Sequence, residues 1–91
     1  MAIKVRVPAG MRALTGNQPV VEVPGDSVLA VIANLEARFP GIKVRLLDES
    51  GKRRKFVNVF VNGDDIRSLQ QETTPLKDHD VVEIAPVIAG G

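Results

Sequence analysis

One segment constrains this chain more than any other. Val28, Val31, Ile32, Leu35 and Phe39 recur at helical spacing between two breakers, Pro24-Gly25 and Pro40-Gly41. Asp26 or Ser27 can cap the start by accepting a bond from a free N–H of the first turn. Asn34, Glu36 and Arg38 fall largely off the apolar stripe. The pattern predicts one amphipathic helix that stops at Pro40-Gly41. A single apolar stripe must be buried against another layer, so the remaining chain has to supply a sheet.

The strand candidates meet that demand. Ile3, Val5 and Val7 alternate with Lys4 and Arg6, and Val21 and Val23 flank Glu22. Thr15-Gly16-Asn17 is a turn signal between these runs, which predicts an antiparallel hairpin with a short connection. From Phe56 to Asn62, Val57, Val59 and Val61 point one way, while Phe56, Asn58, Phe60 and Asn62 point the other. The β-branched set is the natural face to lie under the helix. Val82 and Ile84 alternate with Glu83 and Ala85 near the end.

The expected architecture is α+β: a mixed sheet of four to five strands with one main helix on one face. The last strand is expected beside the first, as a central parallel pair with antiparallel neighbours. The other sheet face stays open and carries Phe60. An aromatic there is either shielded by a loop or is an anchor for a partner.

Composition narrows the function classes. Ninety-one residues give room for one core, and 44% hydrophobic with 25% charged residues is ordinary for a folded protein. A net charge of +1 argues against nucleic-acid binding through a basic surface, and 3% aromatics leaves little for base stacking. With no cysteine the chain has no disulfide, thiolate metal site or cysteine nucleophile of its own. That suits a cytoplasmic protein. Neither a membrane-length apolar run nor a signal-peptide plan is visible. A free monomer is expected.

The intervening segments read mostly as connections. Ile42, Leu46 and Leu47 fit a short helical turn under the main helix, and Asp48-Glu49-Ser50-Gly51 is a turn. The charge run Lys52-Arg53-Arg54-Lys55 reads as a solvated hairpin arm, with docking to an acidic surface as the second reading. Asn62-Gly63 marks a tight turn. Asp64-Asp65 has no further clustered ligand, so no metal is expected, and a turn with a helix cap is the better reading. Ile66 and Leu69 are candidate anchors of a short element. His79, the sole histidine, lies in the turn Lys77-Asp78-His79-Asp80 without a nucleophile to serve.

The chain closes on Ala85-Pro86-Val87-Ile88-Ala89-Gly90-Gly91. Pro86 has no N–H for a ladder, so pairing is expected to fail about there. Gly90-Gly91 lacks Cβ atoms, which makes that pair flexible and thin enough for a narrow channel. The expected division is a folded domain over residues 1–86 and a flexible tail over 87–91.

Phe56-Val57-Asn58-Val59-Phe60-Val61-Asn62-Gly63, Leu76 to Ile84 with its Asp-x-Asp turn, and the Pro86 to Gly91 ending together resemble ubiquitin-like β-grasp sulfur carriers. The resemblance covers nearly the whole chain and extends to the molybdopterin, thiamine and cysteine types. The arm over Leu47 to Lys55 and the strand Phe56-Val57-Asn58 are most similar to the cysteine type. The family commonly has glycine between the two aspartates where this chain has His79; positive φ there would cost about 1 kcal/mol.

The resemblance implies a carrier and not an enzyme. An ATP-using, ubiquitin-activating-type adenylating enzyme would form an acyl-adenylate on the Gly91 carboxylate. A sulfur donor would convert it to a thiocarboxylate, and a sulfur-accepting synthase would take the sulfur. No cofactor is held tightly; sulfur is carried covalently at Gly91. Phe60, Pro86, Val87, Ile88, Ala89 and Gly90 are the expected partner contacts. The same tail would serve a protein modifier joined to target lysines through Gly91, and a plain interaction domain is the third reading. Sequence leaves the receiving pathway open.

Overall fold

The computed structural model describes residues 2–87 of the chain. Strand β1 (Ala2–Arg6) leads through a 3-10 segment (Ala9–Thr15) to β2 (Val20–Pro24). Helix α1 (Val28–Arg38) and a single-turn α2 (Lys43–Leu46) follow. Then come β3 (Val57–Val61), the two-residue β4 (Asp64–Asp65), two 3-10 turns and β5 (Val81–Pro86). The strand order is β2-β1-β5-β3-β4, with β1 and β5 parallel at the centre and the other pairs antiparallel. This is the expected mixed sheet.

The core follows from the two periodicities. Ile3, Val5, Val21, Val23, Val57, Val59, Val61, Val82 and Ile84 put one sheet face against Val28, Val31, Ile32 and Leu35 of α1, and all are buried. Each buried side chain of this size contributes roughly 1.5–3 kcal/mol. Ser27 caps α1, its hydroxyl accepting from Ala30 N–H at 3.1 Å. Gly25 is required by proximity: a Cβ there would lie 2.6 Å from Val31 Cγ2 and 2.9 Å from Val31 N. The free edge of β2 is covered by α1, because Asn34 donates to the Pro24 carbonyl and Arg38 to that of Glu22.

Three local expectations need correction. The β1–β2 connection is not a short turn, since it holds the 3-10 segment with Met11 and Thr15 buried. Thr15 has no apolar periodicity to signal burial; its Oγ1 instead lies within bonding distance of the Arg12 and Gln18 carbonyls. Leu69 is exposed, while Ile66 alone anchors its element. Arg53 and Arg54 are half-buried within the basic run: Arg53 donates to the Val57 carbonyl and Arg54 Nε to that of Val44. Only Lys52 and Lys55 of that run are exposed.

Regular pairing ends about where the missing N–H of Pro86 predicted, since Pro86 is the last residue of β5 and lies opposite Val57. Val81 N–H donates to Asn62 Oδ1 and Val87 N–H to the Phe56 carbonyl, both at 2.9 Å and both toward β3. Strand alternation therefore turns the nitrogen of Pro86 toward β1, whose pairing has already ended with Arg6 opposite Glu83. No ladder bond is lost.

Candidate functional site

The base of the terminal segment is built by three elements. β5 is central, flanked by β1 and β3, so its direction is fixed along the core. At its start, Asp80 Oδ1 accepts from Asn62 Nδ2 at 3.0 Å and Oδ2 from Lys77 N–H at 2.8 Å. Asp78 Oδ1 accepts from Ala2 N–H at 2.8 Å. The Asp-x-Asp turn thus ties β5 to β1 and β3 before the strand begins. Between the aspartates His79 is exposed with φ of +71°, the left-handed conformation expected of a position that favours glycine.

These bonds set the local electrostatics. The Ala2 N–H holds the Asp78 carboxyl below the ordinary carboxylate range. The Lys77 N–H, then the Asn62 amide, do the same for Asp80. Asp65 is held low chiefly by the Arg67 guanidinium, a pair 2.8 Å apart, and its side chain caps the following 3-10 turn. That is the capping role expected for Asp64-Asp65. Among the described residues no group of three His, Cys, Asp or Glu side chains could hold a metal ion.

At the far end of β5 the surface turns apolar. Phe56 is 63% exposed, Val44 60% and Val87 42%. A groove of about 440 Å³ opens there, between the 3-10 segment and α2, with Val57 and Pro86 in its wall and Arg45 and Arg54 at its rim. Phe60 lies on the open sheet face opposite Asp65 and Glu83 and is half-buried. The more exposed aromatic is Phe56, which the alternation places on the same open face as Phe60 but which is not among the expected partner contacts. Of the other expected contacts, Pro86 and Val87 stand at this exit. Ile88, Ala89, Gly90 and Gly91 lie outside the described residues.

The central parallel pair, the single crossing helix and the β5 exit define a ubiquitin-like β-grasp domain. The ThiS family profile matches residues 5–91, and the chain belongs to that family. It is 43% identical over 93 residues to the sulfur carrier protein CysO of Mycobacterium tuberculosis, with all of both chains covered. Small archaeal modifier protein 3 of Haloferax volcanii is 33% identical, again over the whole of both chains. A chain of the Amycolatopsis orientalis BexX/CysO complex superposes with a TM-score of 0.92 at 39% identity, covering 98% of this chain and 99% of that one. Among the described residues no helix is long and apolar enough to cross a membrane.

Proposed function

We propose that this protein is a sulfur carrier whose reactive group is the Gly91 carboxylate. The observation that carries the reading is full-length similarity at 43% identity to a sulfur carrier protein, supported by a sequence that ends in Gly-Gly five residues after the central strand β5. In the first step a carboxylate oxygen attacks the α-phosphorus of ATP on a ubiquitin-activating-type adenylating enzyme and pyrophosphate leaves. In the second, sulfide-level sulfur attacks the acyl carbon and AMP leaves with the C–O bond, giving a thiocarboxylate. A sulfur-accepting synthase then takes the sulfur.

The geometry suits this division of labour. A carboxylate is a poor electrophile until AMP becomes its leaving group, and activation needs a site that stabilises charge and excludes water. Gly90-Gly91 is narrow enough to enter such a site. Ordering each terminal residue costs roughly 1–2 kcal/mol, which contacts at Val87, Ile88 and Ala89 must offset. The chain itself is a co-substrate: its Gly91 carboxylate is the nucleophile of the first step, and the catalytic groups belong to the partner enzymes. ATP belongs to the activating enzyme.

Similarity to CysO favours a cysteine-type receiving reaction over the molybdopterin and thiamine types. Conjugation to lysines is the second reading, supported by the weaker similarity to an archaeal modifier. ATP-dependent pyrophosphate release on mixing this protein with its adenylating enzyme tests the first step. A variant ending at Ala89 should release none.

A further inference from the structure

We propose that the groove bounded by Val44, Arg54, Phe56 and Pro86 is the docking surface for an acidic segment of the activating enzyme, seated by one large apolar side chain. The proposal rests on the carrier reading of Gly91 and adds to it where the body is held. Val44 and Phe56 both line the groove and are 60% and 63% exposed, more than the other exposed large hydrophobic side chains of the described residues. The depression is large enough for one bulky side chain.

Arg45 and Arg54 give the groove its charge, and among the described residues no Asp or Glu lines it, Asp48 and Glu49 lying with Arg54 on the neighbouring depression. Arg54 Nε donates to the Val44 carbonyl at 2.6 Å and Arg45 Nη2 to that of Gly10 at 3.3 Å, so both guanidinium groups are held at the opening. Each retains further N–H donors in the planar fork that suits a carboxylate. An apolar floor with an arginine rim selects an acidic partner segment with an apolar anchor.

Continuity with the exit gives the surface its use. Pro86 is both a wall of the groove and the last residue of β5. A partner seated here fixes the body beside Val87, from which the four remaining residues can span at most roughly 14 Å. Docking at this site sets the distance between the body and the carboxylate's destination.

The test is steady-state pyrophosphate release with the intact carrier as the varied substrate, comparing wild type, Val44→Glu, Arg45→Glu and Leu29→Glu. Leu29 is an exposed apolar residue of α1 outside the groove and serves as the control. Val44→Glu and Arg45→Glu should each raise KM about tenfold while kcat stays within about twofold, and Leu29→Glu should change neither. Added salt should raise the wild-type KM more than that of Arg45→Glu. Unchanged KM in both groove variants, or an equal rise in Leu29→Glu, overturns the docking site and leaves the carrier reading standing. Absence of pyrophosphate release with wild type refutes both.

Discussion

The Val87 amide donates to the Phe56 carbonyl over 2.9 Å, one residue beyond a proline that has no amide to give. Val87, the last described residue, is therefore still bonded to the body, and the exposed Phe56 is tied to the base of the terminal segment. The Val87 amide should exchange with solvent at least about tenfold more slowly than an unstructured amide, since it must wait for a local opening. Hydrogen exchange followed by NMR reads this directly. Unprotected exchange at Val87 would move the end of β5 back to Ala85.

Gly25 is a packing requirement. Its φ is ordinary, but a Cβ would meet the Val31 backbone nitrogen at 2.9 Å, and backbone cannot step aside as a side-chain end can. Gly25→Ala should destabilise the fold by about 1–3 kcal/mol, the usual cost of overpacking. Urea unfolding followed by circular dichroism measures it, with the midpoint falling and the slope unchanged.

His79 carries strain that its neighbours impose. The flanking Asp78 and Asp80 are held by Ala2, Asn62 and Lys77, which keeps His79 at a φ of +71°. Glycine takes that conformation at no steric cost but loses more entropy on folding. His79→Gly should therefore gain about 1 kcal/mol or slightly less, a rise of roughly 4–8 °C in Tm. A fall in Tm would show that the turn holds His79 without strain.

The acid side of the stability profile should come from a few carboxylates. Asp78 is held low by the Ala2 N–H, Asp80 by the Lys77 N–H and Asn62, and Glu36 by the Lys43 and Gly41 N–H groups. A depressed folded-state value means that the unfolded chain binds more protons across the intervening range, so stability rises with pH there. The contribution is complete above the ordinary aspartate value of about 3.9 and disappears as pH falls through the depressed values. Denaturation midpoints against pH should be flat near neutrality and fall below about pH 4, and Asp80→Asn should flatten part of that fall.

The helix, the core face and the sheet order were legible because each rests on a periodicity. The α1 stripe and the alternating valines of β3 name their own buried faces, and Asn62-Gly63 names its turn, with φ of +51° and +90°. What escaped were features set by tertiary partners. Thr15 is buried by two carbonyls, and Arg53 and Arg54 leave the solvated arm because carbonyls of β3 and α2 await them. Alternation places Phe56 and Phe60 on the same open face, and only tertiary structure separates the exposed Phe56 beside the groove from the half-buried Phe60. Pro86 joins β5 because the neighbouring strand has already ended, a fact of sheet topology that strand alternation does not carry.

The central claim is that Gly91 receives sulfur, and intact-mass spectrometry tests it most directly. The protein is incubated with its adenylating enzyme, ATP and a sulfide-level donor, beside a variant carrying one added residue after Gly91. Wild type should gain the mass difference between one sulfur and one oxygen, placed by fragmentation on Gly91, and the extended variant should gain nothing. An unchanged wild-type mass while the enzyme demonstrably forms adenylate with another carrier would contradict the account.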